Sequence, residues 1–150
     1  MHFIGVDLGG TNIKGALVHS SGEILLEKSM PTNVQDGAEA VCDRIAAVIQ
    51  FLVSASAPPD GVGIGCPGTV DNASGYVLYA NNLGWKNFDL RRALALRTGF
   101  SVQIGNDANV AALAEALAGC AKGAESAIIL TLGTGVGGGV VLNGKLLTGY

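Results

Sequence analysis

Short apolar runs separated by polar, glycine-rich breaks dominate the start of the chain. His2-Phe-Ile-Gly-Val6 reads as a buried strand, and Asp7-Leu-Gly-Gly-Thr11 interrupts it with a turn. Ile13 to Val18 resumes as a strand, Ser20-Ser21-Gly22 turns the chain, and Glu23 to Lys28 makes a third strand, so the pattern predicts a β-meander. The period then changes. Val41, Ile45, Ile49 and Leu52 recur at helical spacing behind Asp36-Gly-Ala-Glu39, which has the form of a capping box. These predict a helix over 37–55, ended by Pro58-Pro59.

Gly61 to Gly65 predicts a fourth strand and Cys66-Pro-Gly68 a turn. Residues 69–87 read as a loop carrying a small hairpin, with Asp71-Asn72 and Ser74-Gly75 as turn signals. Asp89 can cap a helix over 89–98 that Gly99 closes. Phe100 to Ile104 reads as a strand. A further helix opens at Gly105-Asn-Asp-Ala108 and is expected to place Val110, Leu113, Ala114 and Leu117 on one face.

The end of the chain echoes its start. Residues 3–26 and 127–148 both run strand, glycine-threonine turn, strand, short turn, strand, with Asn143-Gly144 as the second hairpin turn. A repeat of this kind suggests two related lobes. We expect residues 1–122 to form the first and 123–150 to open the second. Three strands with no helix to cover them would leave an apolar face bare, so we expect the first half of a longer protein, the alternatives being a partner that completes it or a compact remnant that folds differently.

Composition narrows the class. Of 150 residues, 49% are apolar and 14% charged, which favours a folded domain over disorder. A net charge of -3 gives no bulk attraction to nucleic acid or an anionic membrane. Cys42, Cys66 and Cys120 are odd in number and lack CxxC spacing. They read as reduced thiols of a cytoplasmic protein, not as a disulfide framework or zinc site. The stretch Ser126 to Gly144 lacks acidic and basic residues, but its glycines and threonines suit strands better than a membrane span. We expect a soluble protein without a signal peptide.

The chemistry gathers at the glycine turns. Gly133 to Gly139 holds five glycines in seven residues, leaving backbone free to turn N–H groups toward an anion. Gly133-Thr-Gly135-Val-Gly-Gly138 satisfies G-x-G-x-x-G, yet a dinucleotide loop must run into a helix, and strand residues follow here. The protein-kinase glycine loop does lie on a hairpin, but H-R-D and D-F-G are absent. Gly139 to Lys145 fits G-x-x-x-x-G-K but continues with Leu146, where a hydroxyl is needed for Mg²⁺. What remains is a pair of turns. Asp7, Gly9, Gly10 and Thr11 offer a carboxylate, bare backbone and a hydroxyl; Gly133, Thr134 and Gly135 offer the same without the carboxylate. Two such turns facing each other could grip a polyphosphate, with Asp7 reaching Mg²⁺ through water.

Five motifs then carry a specific resemblance. Asp7-Leu-Gly-Gly-Thr-Asn-Ile-Lys-Gly15, Gly65-Cys-Pro-Gly68, Asn81-Asn-Leu-Gly-Trp85, Asn106-Asp-Ala-Asn109 and Leu132 to Gly139 occur in the order and rough spacing of the ROK family (repressor, open reading frame, kinase). Within it the chain most resembles bacterial glucokinases. The resemblance covers the whole chain but about half of a family member. It implies an α/β fold of the actin-like, ribonuclease-H-like sugar-kinase class, a mixed sheet with flanking helices, whose second lobe is truncated here. It also implies transfer of phosphate from ATP to the 6-hydroxyl of a hexose, with Mg²⁺, in a cytoplasmic enzyme of glycolysis that is a homodimer at full length.

Carried over by residue, the resemblance makes Asp107 the catalytic base and Asn82, Asn106, Gly65 and Gly68 sugar contacts. A carboxylate at the start of a helix meets the positive end of its dipole, which favours the anion a base needs. Asn81 could exchange roles with Asn82. Asn106 could cap the helix as well as bind sugar. Trp85 reads as packing and Lys14 as a solvated strand charge. The family's Glu and His sugar ligands, its cysteine-rich zinc motif and its adenine pocket fall outside this chain, which is expected to be nearly inactive alone. Kinases for N-acetylmannosamine, N-acetylglucosamine or fructose, and sugar-sensing regulators, are the alternatives. With no basic stripe, nucleic acid is not an expected partner.

Overall fold

The computed structural model describes residues 1–55, 58–133 and 135–148. The opening meander is present as β1 (His2–Leu8), β2 (Asn12–His19) and β3 (Ile24–Pro31). β4 (Gly61–Cys66) adds parallel to β1, and β8 (Val102–Asn106) adds parallel to β4. The result is a five-stranded mixed sheet of order β3-β2-β1-β4-β8. Between β4 and β8 lies a second, antiparallel sheet of β5 (Thr69–Asp71), β6 (Tyr76–Ala80) and β7 (Trp85–Asp89).

Period-two alternation explains how the main sheet is filled. Ile4, Val6 and Leu8 of β1, Ile13 and Leu17 of β2, Val62 and Ile64 of β4, and Val102 and Ile104 of β8 all point to one buried face. Against it pack α1 (Ala38–Ser54), through Val41, Ile45, Val48, Ile49 and Leu52, and α2 (Leu90–Thr98), through Leu90 and Leu94. Each such side chain contributes about 1.5–3 kcal/mol by leaving water. Arg97 of α2 ties the two helices together, reaching Asp43 at 2.7 Å and Glu39 at 2.5 Å. Asp89 caps α2 by accepting from Arg92 N–H at 3.0 Å, and Gly99 closes it at φ 75°.

The opposite face is paved differently. Gly5, Gly63, Gly65 and Gly105 lie there, and α3 (Asp107–Leu117) crosses over its β4–β8 end. A Cβ on Gly105 would stand 2.6 Å from Val110 Cγ1, and one on Gly65 would stand 3.0 Å from Val110 Cγ2. Glycine is what permits this approach. The far side of α3 meets a third sheet, β9 (Ala127–Leu132), β10 (Val136–Leu142) and β11 (Lys145–Leu147), in the order β11-β10-β9. The Asn143-Gly144 turn joins its last two strands with positive φ at both residues. The outer face of this sheet is bare, with Ile128 at 73% and Leu132 at 81% exposure. Among the described residues no helix is long and apolar enough to cross a membrane.

Two local expectations need correction and one holds in part. Asp36 does not cap α1: it ends a short 3-10 turn, Gly37 takes the cap position with no side-chain bond, and the Asp36 carboxylate pairs with Arg44. In α3, Val110, Leu113, Ala114 and Leu117 do share a side of the helix, but its buried residues are Ala108 and Ala112, and Val110 and Leu117 are exposed. A helix held between two glycine-paved sheets buries its smallest side chains. Finally, residues 69–87 hold more strand than a loop with one hairpin, because Trp85–Asp89 pairs with β6.

Two outcomes follow. Gly139→Ala should lower stability by about 1–3 kcal/mol, the usual cost of overpacking. The new methyl would meet Ala112 and stand 3.0 Å from the Ala108 carbonyl oxygen. Gly5→Ala, with nothing within 4 Å of its Cβ, should leave the circular-dichroism melting curve nearly unchanged. The thiols supply the second. Burial pushes Cys42 and Cys66 up to about 12 from 9.0, whereas Cys120 is exposed. A thiol reagent at neutral pH should therefore label only Cys120 until the chain unfolds. The unfolded chain releases the Cys42 and Cys66 protons near pH 9 while the folded chain retains them, so stability should fall as pH rises from 9 toward 12.

Candidate active site

The site forms where β1, β4, α3 and β9 converge. Asp7 is on the outer face of β1, directly paired with Gly65 of β4 on one side and Lys14 of β2 on the other. Asp107 opens α3, and its Cα would lie 3.5 Å from a Cβ on Gly65. Asp7, Lys14, Gly65, Asp107 and Thr131 all line one cleft of about 660 Å³, floored farther along by Gly5 and Gly63. The electrostatics follow from this placement. Burial pushes the Asp7 carboxyl above its ordinary value, the Asp107 charge pushes the same way, and Lys14 opposes both.

Behind Asp7 the first glycine turn is held by its own backbone. Gly9 N–H donates to Asn12 O at 2.9 Å. Among the described residues, Gly10 and Thr11 N–H groups have no acceptor, leaving two donors at the turn. Donors of this kind suit a phosphate oxygen. Asn82 packs on the turn: a Cβ on Gly10 would stand 3.4 Å from both the Asn82 Cβ and its carbonyl oxygen. Asn81 is turned elsewhere, its Oδ1 accepting from the Tyr79 hydroxyl at 3.3 Å. Of the two asparagines, Asn82 is the one against the first turn.

Asn106 does two jobs at once. Its Oδ1 accepts from Asn109 N–H at 3.1 Å, capping α3, and its Nδ2 donates to Gly68 O at 2.9 Å. One amide hydrogen remains for a further partner. Gly68 has φ 90° and fits against β6, where an added Cβ would stand 2.8 Å from Ala80 Cα. The turn after β4, the cap of α3 and the strand leading to Asn82 are thus locked together. Trp85 is buried, its ring 4.8 Å from that of Phe88.

Gly133 and Gly135 form the open tip of the β9–β10 hairpin, with Gly133 N–H donating to Gly135 O at 2.9 Å and nothing within 4 Å of either Cβ position. Thr134 lies outside the described residues. The strand leading to this tip reaches the cleft through Thr131; Gly133 and Gly135 are not among its lining residues.

The donor set tests which metal would fit. Among the described residues no three His, Cys, Asp or Glu side chains gather, so there is no protein cage. Asp7 and Asp107 on one cleft beside free N–H groups suit a cation that keeps most of its water and shares its shell with phosphate. That is the habit of Mg²⁺. Lys14 is a residue whose place a motif reading undervalues. The hairpin register sets it opposite Asp7, a pairing that no motif string carries. Thr32, buried behind the same turn, belongs to no motif and carried no sequence signal.

The ROK family model matches residues 3–150. A glucokinase of Thermotoga maritima is 44% identical over 150 residues, covering 99% of this chain and 47% of its own length. A glucokinase of Halalkalibacterium halodurans is 40% identical over 151 residues, covering 98% and 46%. Among solved structures, a ROK family glucokinase of Streptomyces griseus in complex with glucose and AMPPNP superposes with a TM-score of 0.94 at 37% identity, covering all of this chain and 47% of that one. Other relatives bear the names of an N-acetyl-D-glucosamine kinase and a putative xylose repressor. The chain spans about half the length of the curated relatives it matches. The fold is the mixed α/β, actin-like architecture of sugar kinases, and the chain belongs to the ROK family.

Proposed function

We propose that this chain is the sugar- and phosphate-binding half of an ATP-dependent hexose kinase that phosphorylates glucose at its 6-hydroxyl in the cytoplasm. Residues 1–122 supply the sugar lobe and 123–150 begin the nucleotide lobe. The observation that carries the reading is the shared cleft: a carboxylate at a helix start, Asp107, lines the same space as Asp7 beside a turn with unused N–H donors. The glucokinase relatives support the choice of glucose.

The roles follow from chemistry. Asp107 accepts the proton of the sugar hydroxyl as it attacks phosphorus. Phosphoryl transfer has a loose transition state, so alignment and late proton acceptance matter more than base strength. Asn82, Asn106 and the backbone at Gly65 and Gly68 orient the hexose. Gly9, Gly10 and Thr11 bind phosphate oxygens, and Gly133, Thr134 and Gly135 approach from the other lobe. Asp7 would hold Mg²⁺ through water, and that ion would neutralise charge on the transferring phosphate. At full length the kinase pairs as a homodimer.

The test is a chimaera in which residues 1–150 replace the matching half of the Thermotoga maritima glucokinase. It should turn over ATP in a glucose-dependent coupled assay. Asp107→Asn should cut kcat by about 10²–10⁴-fold while glucose binding persists. Turnover unaffected by that change would remove Asp107 from the chemistry. Glucose binding without turnover in the unmutated chimaera would favour a sugar-sensing regulator, and preference for an N-acetylated hexose would reassign the substrate. The 150-residue chain alone should give turnover near background, and full hexose-dependent activity there would overturn the half-enzyme reading.

A further inference from the structure

We propose that Thr32 is the positioning residue of the first glycine turn, the clamp that makes the Gly10 N–H available to an anion. The inference rests on the reading of that turn as a phosphate site. Thr32 follows β3 and is fully buried, at 0% exposure. Its hydroxyl donates to Gly9 O at 2.7 Å and its backbone N–H donates to Thr11 O at 2.8 Å. One residue thus holds two carbonyls of the turn. Its own carbonyl accepts from Arg44 Nη1 of α1 at 3.1 Å, and Arg44 is fixed in turn by Asp36. The turn is anchored through Thr32 to the helix packed on the other face of the sheet.

Peptide geometry explains what this achieves. The Gly9 carbonyl and the Gly10 N–H belong to one planar trans peptide, so they point in opposite directions. Pinning the Gly9 oxygen inward to Thr32 turns the Gly10 N–H outward. There it has no acceptor among the described residues. A turn rich in glycine has many alternative conformations, and without the hydroxyl the peptide could rotate and hide that donor. Pre-ordering the donor removes an entropic cost that binding would otherwise bear.

The test uses the 150-residue chain and three forms: unmutated, Thr32→Val and Thr32→Ser. Valine keeps the branched shape and the backbone N–H but loses the hydroxyl; serine keeps the hydroxyl. The first readout is hydrogen exchange at the Gly9 amide, which is protected by its bond to Asn12 O. Thr32→Val should speed that exchange about fivefold or more, on the scale of one ordinary hydrogen bond. Exchange at Ile45 and Ile49 in α1 should not change, and Thr32→Ser should restore the slow rate. Gly9 exchange unchanged in Thr32→Val, or a rise shared equally by α1, would overturn the clamp. The second readout is titration with inorganic tripolyphosphate and Mg²⁺, followed at the Gly10 and Thr11 amides by NMR. Affinity should fall about fivefold in Thr32→Val and recover in Thr32→Ser; equal affinity in all three forms would overturn the positioning role. If the unmutated chain does not respond to tripolyphosphate while the exchange pattern holds, the phosphate reading fails and the proposed role of the clamp falls with it. The clamp's geometry would then stand separately as a structural contact.

Discussion

The structure depends on how closely α3 can lie on the main sheet. Where Asp107 stands relative to the sheet is set by that distance. With side chains at Gly65 and Gly105, Val110 would have to move outward and the helix would ride higher. Asp107, at its first turn, would move with it, away from Asp7. The same constraint acts on the far side, where Gly137 and Gly139 let β10 approach Ala108 and Ala112. A helix held this way on both faces buries little apolar area for its length. Its position is fixed by sterics and by the Asn106 cap more than by hydrophobic burial. On the proposed reading, that suits a helix that would aim the Asp107 carboxylate.

The two sides of the main sheet therefore divide the labour. One face carries Ile4, Leu8, Ile13, Ile64 and their partners on α1 and α2, and holds the fold. The other exposes glycine and lines the cleft with the charged residues Asp7, Lys14 and Glu27, beside Asp107 of α3. Strict alternation along β1 is enough to assign each residue to its side: Ile4, Val6 and Leu8 go inward, Gly5 and Asp7 outward. A one-residue register slip would exchange the two sets and destroy core and site together. Sequence and function are coupled here through a two-residue period.

Much of the architecture was legible in the sequence. Short apolar runs broken by glycine turns marked the meander, helical spacing marked α1, and Asp89 with Gly99 bounded α2 at both ends. The residues that misled did so for tertiary reasons. Asp36 has the sequence form of a cap, but Arg44 is the nearer partner once the 3-10 turn forms. The apolar side of α3 that carries Val110 and Leu117 is not its buried one, because α3 contacts a sheet on each side and buries Ala108 and Ala112. Trp85–Asp89 lacks clean alternation and includes Asn87 at φ 50°, so nothing local announced a strand. At the site, the motifs singled out Asp7, Asp107, Asn82 and Asn106 as candidates because each lies in a recognisable string. They could not reveal Lys14's pairing or Thr32's bonds, which exist only once strands are registered.

The charge balance of the cleft bears on when the site becomes competent. Burial and Asp107 both work against ionised Asp7, and Lys14 alone among the causes acting on it works the other way. The like charges of Asp7 and Asp107 on one cleft are a poor resting arrangement. A divalent cation arriving with phosphate would turn that repulsion into attraction, since each carboxylate would then face positive charge. Nucleotide and metal would thus be favoured together over either alone. On the proposed reading, the like charge of Asp7 and Asp107 would tie metal binding to occupancy of the phosphate turn.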